Sequence, residues 1–332
     1  MKKENILLLV GGISPEREVS KSSGENVYNA LLKLDYNVTI IDPAYGENQP
    51  KDNLQFFCDK DFAPISRENY IKAINLPAFE NTDLVFNSLH GKYGEDGTIQ
   101  SLLELKNIKY TGSGVLSSSL TMDKCASKIL FQHFDVSTPK WFFVSEDSVD
   151  FNEIKETIKT NLLYPCVIKP NDQGSTIGLS ICHNQDEVIP AIKLALQFSS
   201  KALIEEFIEG FELTVGVLDN IVLPPLEIKP KKDCYDYECK YTDGMSEYVV
   251  PANFPEEVLN NLKEQAKLAF DALGCSSYAR IDFRVNRKHQ IFCLEANTLP
   301  GMTSHSLLPK MAMAAGISFE KLIEKIIIYA LK

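Results

Sequence analysis

Apolar and polar positions alternate along this chain in two textures. Ile6–Val10 is an unbroken apolar run of strand length, and Glu18–Leu34 places apolar residues at Val19, Val27, Ala30 and Leu31, the repeat of one helix face. Asn37–Ile41 and Asp83–Leu89 read as further strands and Thr98–Leu105 as a helix. Apolar strands that alternate with helices predict a parallel sheet buried on both faces. Gly46–Tyr70 is polar and irregular and predicts a surface excursion.

Beyond Tyr110 the pattern changes. Helices are predicted at Met122–Phe134, Phe151–Thr160 and Asp186–Phe198, interleaved with strands at Cys166–Lys169, Thr176–Ile181 and Ala202–Glu206. From Phe211 onward strands dominate. A tyrosine-rich polar segment, "KKDCYDYECKYTDGMSEY", interrupts them with too few aliphatic residues to be a core element. Gly316 and Ser318 separate two C-terminal helices, and no internal repeat or low-complexity tract is visible. The pattern predicts an α/β chain of three consecutive units.

Composition narrows the partners. The 332 residues have room for two or three compact domains and are 44% hydrophobic and 24% charged, an ordinary globular balance. A net charge of −11 argues against a nucleic-acid groove or an anionic membrane as the main partner. The eight cysteines are scattered without a C-x-x-C pair, which fits thiols in a reducing cytosol. Cys234 and Cys239 have no nearby His or further Cys to complete a zinc site. The N-terminal apolar run is short, lacks a small-residue cleavage site and reads as a buried strand rather than a signal peptide. No segment approaches the ~18 apolar residues of a membrane span. A cytoplasmic chain is expected.

Four stretches carry candidate chemistry. "YARIDFRVNRKHQIFCLEAN" reads as a β-hairpin turning around Arg287–His289. Alternation puts Arg280, Asp282 and Arg284 on one face, and Glu295 and Asn297 on one face ~7 Å apart. A two-residue turn, Arg287–Lys288 or Lys288–His289, unites the two faces, whereas a one-residue slip separates them. Two carboxylates and an amide oxygen are hard ligands suited to Mg²⁺; without a ligand the same residues would be the solvated face of an edge hairpin. The following turn, "TLPGMTSHS", is rich in Gly and hydroxyls and so built for close approach to a ligand.

In "YPCVIKPNDQGSTIGLSI" a strand delivers Lys169, and Gly174 and Gly178 let backbone N–H groups approach polyphosphate oxygens. The lysine precedes the glycines and a strand follows, so this is not a Walker A loop; a hairpin with a polar turn is the plainer reading. "KALIEEFIEGFELTV" brings Glu205, Glu206, Phe207, Ile208 and Glu212 together, either to meet a nucleoside or as ordinary charged strand ends. "NSLHGKYGEDGTIQ" sets His90 after a parallel strand, where ligands are commonly met, and a structural turn histidine is the alternative. "VGGISPE" opens a helix at Glu16 but lacks the dinucleotide G-x-G-x-x-G spacing.

Together with "EREVS", "YTGSG", "MDK", "YDYECKY" and "LEANTLPGMTSHSLLP", these motifs resemble the D-alanine–D-alanine ligase family of the ATP-grasp superfamily, from Gly11 to the C-terminus. The resemblance implies a three-domain ATP-grasp fold. An N-terminal doubly wound parallel-sheet domain would span 1–112, a central domain 113–206, and a C-terminal domain 207–332 with a lid near 230–248. It further implies that Lys124, Lys169 and Lys240 contact ATP phosphates, Glu205, Glu206, Phe207 and Ile208 the adenine, and Glu212 the ribose. Asp282, Glu295 and Asn297 would bind two Mg²⁺ or Mn²⁺ ions. Glu16, with Ser175 and Tyr241, would orient the first D-alanine in a substrate pocket that includes His90. Arg280 and the Gly301 N–H would face the reacting carbonyl, and Ser306 and Leu307 the second D-alanine. The implied product is D-alanyl-D-alanine for peptidoglycan precursors, made by a homodimer, with a D-alanyl-D-lactate or D-alanyl-D-serine ligase as the runner-up. One departure is visible: the loop reads Ser175-Thr176 where many relatives have two serines, and Thr176 keeps a hydroxyl.

Overall fold

The computed structural model describes residues 4–148, 150–231 and 245–332. The chain is α/β and contains three sheets. The first is parallel, in the order β2 (Asn37–Ile41), β1 (Asn5–Leu9), β3 (Leu84–Asn87). In β1 alternate residues serve different cores. Ile6 and Leu8 join a core with Val27 and Leu31 of α1 (Arg17–Lys33), while Leu7 and Leu9 pack with Tyr70, Phe79 and Leu103 on the other face. The unbroken apolar run thus has a cause, since a strand covered on both sides has no wet face.

The first of these cores also contains Leu308, Met311, Leu322, Ile323 and Ile326, from two helices at the far end of the sequence, Leu307–Ala314 and Phe319–Leu331. The first and last parts of the chain therefore bury one another. The second sheet is antiparallel, in the order β4 (Trp141–Ser145), β7 (Lys201–Glu206), β5 (Cys166–Pro170), β6 (Ser180–Cys182), and has its own core with Ile154, Val188 and Ile192.

The third sheet has six strands, with the path β11 (Ser246–Val249), β10 (Leu226–Pro230), β8 (Gly210–Leu218), β12 (Tyr278–Asn286), β13 (Ile291–Asn297) and the short β9 (Ile221–Val222) beside β8. Leu213, Val215, Ile281 and Phe283 from one face of this sheet pack under the helix Glu256–Ala272.

The β12–β13 hairpin departs from its expected geometry. Its loop has three residues, Arg287–Lys288–His289, with His289 left-handed at φ 61°. The Asn286 side chain accepts from both Lys288 N and Gln290 N at 2.9 Å, and His289 N donates to the Asn286 carbonyl. A three-residue loop sets Val285 opposite Ile291 and Phe283 opposite Cys293, which alone would place Asp282 opposite Leu294. A β-bulge between Asp282 and Phe283 makes Leu294 the extra residue, so Asp282 faces Glu295 and Arg280 faces Asn297.

Other expectations are corrected by local chemistry. The helix expected over Met122–Phe134 is Lys124–His133, because Asp123 is extended and caps it by accepting from Ala126 N, and a separate helix, Val115–Met122, precedes it. The strand expected at Thr176–Ile181 is confined to Ser180–Cys182, since Ser175 and Thr176 are both left-handed in a turn closed by Ile177 N and the Gly174 carbonyl. The helix from Phe151 ends its α-turns at Thr157 and continues as a π-turn, Ile158–Leu162. The excursion 46–70 lies mostly at the surface, as expected, and is anchored there: Phe56 is buried in the first core, and Asp61 pairs with Arg17 and Lys21.

Gly210, at φ 148°, begins β8 where the hairpin crosses most closely. A Cβ there would stand 2.1 Å from the Val285 carbonyl oxygen. Gly210→Ala is expected to cost about 1–3 kcal/mol, because neither the backbone angle nor the neighbouring strand can yield freely. Urea unfolding followed by circular dichroism checks this, and an unchanged midpoint would mean that the strands separate without cost.

Candidate active site

Two clefts open between the sheets, and they touch. The first, about 970 Å³ including its open mouth, lies between the second and third sheets, with Lys124, Lys169, Glu205, Phe207, Ile208, Glu212 and Glu295 on its walls. The second is bounded by Glu16, His90, Arg280, Asn297, Gly301, Ser306 and Leu307. Gly174, Ser175 and Glu295 line both.

Lys124 begins its helix beside the glycine-bearing loop. Its amine donates to the Gln173 carbonyl at 2.7 Å and lies 3.2 Å from Glu295 Oε2. Lys169, near the end of β5, meets Glu205 Oε1 at 2.5 Å, and Lys128 approaches the other oxygen at 2.9 Å. Burial works against the Glu205 carboxylate, yet the two lysines hold its pKa below the usual range. Burial also disfavours the Lys169 ammonium, but the Glu205 and Glu295 charges leave its pKa raised. The Glu205 side chain is therefore committed to lysines, while Phe207 and Ile208 form the open wall. Arg284 fastens that wall, donating to the Ile208 carbonyl at 3.1 Å and lying 3.4 Å from Glu212. Glu206 also lines this cleft.

On the hairpin, Asp282 accepts from Arg280 through both oxygens at 2.9 and 2.7 Å, from Thr214 Oγ1 at 2.6 Å and from Asn297 Nδ2 at 3.0 Å. Among the described residues there is no group of three His, Cys, Asp or Glu side chains poised for a metal. The set here is two carboxylates and an amide, with the Lys124 amine beside Glu295. Such hard oxygens suit Mg²⁺ or Mn²⁺ once a polyphosphate supplies the remaining donors. The residues present fit that group.

In the second cleft, Glu16 stands at the start of α1 and accepts from Ser175 Oγ at 2.5 Å, tying the loop to the first sheet. Below it Arg17 is buried against Asp42 at 2.6 Å and donates to the Gly12 carbonyl at 2.5 Å, which fixes the turn that presents Glu16. His90 is buried, with Nδ1 3.1 Å from Glu95 Oε1 and Nε2 3.2 Å from Ser23 Oγ. Ser23 Oγ also accepts from Met302 N, so this chain of contacts connects the first sheet to the turn after β13. In that turn, a Cβ on Gly301 would lie 2.7 Å from Ser306 Oγ, so only glycine leaves the hydroxyl in place. Ser306 precedes the helix Leu307–Ala314, whose N-terminus lines the cleft and favours a carboxylate.

Within the described part the expected site residues line two adjoining clefts, except Asp282, which lines neither and is hydrogen-bonded to Arg280 and Asn297 of the second. Lys240 and Tyr241 lie outside the described residues. Sequence reasoning missed Lys128, Glu95 and Arg17. Lys128 lies one helical turn beyond Lys124, and Glu95 follows His90 within one loop, so spacing held a faint signal for both.

Burial alone would lower the His90 pKa, but Glu95 and, farther off, Glu16 leave it raised. A raised value means that the imidazolium stabilises the fold fully below its ordinary pKa of about 6.5, and that this contribution fades as pH rises past it. The melting-temperature gap between the unaltered protein and His90→Gln should be wide near about pH 6 and narrow near about pH 9. A gap that is constant with pH would show that the charge contributes nothing.

Comparison with known proteins gives one consistent outcome. The family models described as D-ala D-ala ligase N-terminus and C-terminus match residues 5–113 and 130–328. The D-alanine–D-alanine ligase of Carboxydothermus hydrogenoformans is 42% identical over 330 residues, covering 98% of this chain and 97% of that protein. The ligase of Syntrophotalea carbinolica is 39% identical, with 98% and 96% covered. Among solved structures, D-alanine–D-alanine ligase from Bacillus anthracis superposes with a TM-score of 0.81 at 33% identity, covering 99% and 97% of the two chains. A structure of that ligase complexed with ATP gives 0.79 at 31% identity with the same coverage. The VanG D-Ala:D-Ser ligase from Enterococcus faecalis gives 0.81 at 30% identity, covering 99% and 100%.

Proposed function

The chain belongs to the D-alanine–D-alanine ligase family, and we propose that its adjoining clefts join two D-alanines into D-alanyl-D-alanine, with ATP cleaved to ADP and phosphate through a D-alanyl phosphate. The observation that carries this reading is the shared wall of Gly174, Ser175 and Glu295, which sets the phosphate end of one cleft against the other. A γ-phosphate held there is within reach of a carboxylate in the second cleft.

Lys124 and Lys169 hold the phosphates, the Phe207–Ile208 wall receives the adenine, and Glu212 takes the ribose hydroxyls. Glu16, kept in place by Ser175 and by the Arg17–Asp42 pair beneath it, binds the ammonium of the first D-alanine. The carboxylate of that D-alanine attacks the γ-phosphorus, and the bond to ADP breaks. The free amine of the second D-alanine, its carboxylate at Ser306 beside Leu307, then attacks the acyl carbon. Negative charge grows on the carbonyl oxygen, and Arg280 with the Gly301 N–H neutralises it, the usual electrostatic solution. Collapse expels phosphate, and the amine loses its proton. Asp282, Glu295 and Asn297 would hold Mg²⁺ or Mn²⁺, two ions in the fullest reading, and the metal supplies charge neutralisation for the phosphate oxygens. Tyr241 and Lys240 belong in this scheme to a lid that excludes water from the acyl phosphate.

Among the described residues no helix is long and apolar enough to cross a membrane. The reading places the enzyme in the cytoplasm as a homodimer that makes peptidoglycan precursors. A D-serine acceptor is the nearest rival, since a D-Ala:D-Ser ligase shares this fold.

Glu295→Gln should abolish ligation while leaving the fold intact, because it removes a carboxylate that lines both clefts. Mn²⁺ binding in the presence of ADP, followed by electron paramagnetic resonance, should weaken in parallel. Near-normal turnover or unchanged Mn²⁺ binding would remove the metal assignment.

Acceptor choice tests the function itself. Phosphate release from ATP should depend on D-alanine and not on L-alanine, with D-serine and D-lactate as comparison acceptors. An amine acceptor must lose its proton to attack, so the dipeptide yield should rise between about pH 6 and about pH 9, whereas D-lactate has no ammonium to deprotonate. With both acceptors competing at neutral pH, D-alanyl-D-alanine should dominate. Mostly depsipeptide would promote a D-lactate ligase, and preference for D-serine the rival above.

A further inference from the structure

The side chain that this scheme leaves unused is Lys128. It is wholly buried in the helix Lys124–His133, one turn beyond Lys124, and joins three parts of the chain. Its amine lies 2.9 Å from Glu205 Oε2, on the nucleotide side of the second sheet, and donates to Thr138 Oγ1 at 2.6 Å. Thr138 donates in turn to the Cys293 carbonyl at 2.8 Å, next to the bulge that sets Asp282 against Glu295. Lys169 holds the other oxygen of Glu205. Two lysines share one carboxylate where water is excluded. Burial pushes the Lys128 pKa down despite Glu205, so keeping this second cation there is costly.

One lysine would suffice to neutralise Glu205 if the arrangement never changed. The nucleotide scheme requires it to change. When phosphates enter, Lys169 has to turn its charge toward them, and a buried Glu205 with no other partner would then be an unpaired carboxylate. Such a charge resists formation, so Lys169 would remain bound to it. We propose that Lys128 is the standing counter-ion of Glu205, a positioning residue that releases Lys169 to serve the nucleotide. The Thr138 hydroxyl and the Cys293 carbonyl behind it keep the Lys128 amine from following Lys169 into the cleft. The inference rests on the assignment of the first cleft to ATP.

Without Lys128, a Glu205 abandoned by Lys169 can reach neutrality only by taking a proton. Nucleotide binding would then be coupled to proton uptake, a signature that a merely structural lysine does not produce. The test is calorimetry on the full chain with a non-hydrolysable ATP analogue, in buffers of different ionisation enthalpy from about pH 6 to about pH 8.5. Lys128→Met should bind the analogue at least roughly tenfold more weakly at the alkaline end. It should recover up to about tenfold per pH unit on acidification and take up a proton that the unaltered protein does not. Unchanged affinity, or weaker binding without proton uptake, overturns the proposal.

If Lys128→Met does not fold, a second comparison carries the test. In a chain already bearing Glu205→Gln there is no carboxylate to neutralise, so adding Lys128→Met should change affinity by less than about twofold. A loss of roughly tenfold there would show that Lys128 acts independently of Glu205 and would overturn the proposal. Failure of the unaltered protein to bind the analogue would instead remove the nucleotide assignment, and the proposal with it.

Discussion

Asp282 and Glu295 stand opposite one another because Leu294 is an extra residue in its strand. Side chains alternate faces along a strand, so a register error of one residue would turn one carboxylate away from the other. The three-residue loop introduces that offset, and the bulge cancels it. Arg280 facing Asn297 follows from the same correction. Both clefts are organised around this short stretch of hairpin, since Glu295 lines each of them and Asp282 gathers Arg280, Thr214 and Asn297. Bulges often occur where a sheet must re-aim a side chain, and here the bulge brings two carboxylates face to face.

The same hairpin strand ties the second sheet to the third. Cys293 N donates to the Ser137 carbonyl, and its own carbonyl accepts from Thr138. The segment leading into β4 is therefore fastened beside the bulge. Lys128 extends that connection to Glu205 and so to Lys169. Lys169 and the Asp282–Glu295 pair thus hang from one polar thread rather than from independent supports.

Much of this was legible in the sequence, for reasons that differ between residues. Alternation set Asp282 on one face of its strand and Glu295 with Asn297 on one face of theirs, and an assumed two-residue turn united them. The supposed two-residue turn was wrong, but the unseen bulge restores the same pairing, so two departures cancel. Bulges leave little trace in a pattern of apolar and polar positions, because Leu294 reads as an ordinary strand residue. Lys128 left only the faint signal of its spacing from Lys124, because a lysine in an amphipathic helix reads as its solvated face, and the carboxylate it meets lies far along the chain. Asp61 was missed for a related cause. A polar, irregular segment reads as surface, and this one is, yet Arg17 and Lys21 pair with its Asp61. The Glu205 carboxylate, expected beside a nucleoside, lies between Lys128 and Lys169, while Phe207 and Ile208 line the first cleft with it.

The core shared by β1 and the last two helices bears on how the protein comes into being. Ile6, Leu8, Val27 and Leu31 leave the ribosome first, yet Leu308, Met311, Leu322 and Ile326, which cover them, are among the last residues made. At roughly 5–20 residues per second the early strand and helix wait on the order of 15–60 seconds for their cover. Throughout that interval one side of the first sheet is an apolar surface without its native partner. The nascent chain can complete its middle sheet first, but the unit that presents Glu16 is finished only once the helices Leu307–Ala314 and Phe319–Leu331 have emerged. Translation speed over the final helices, and the availability of a chaperone to shield that surface, therefore govern how much of the enzyme ever assembles its substrate cleft.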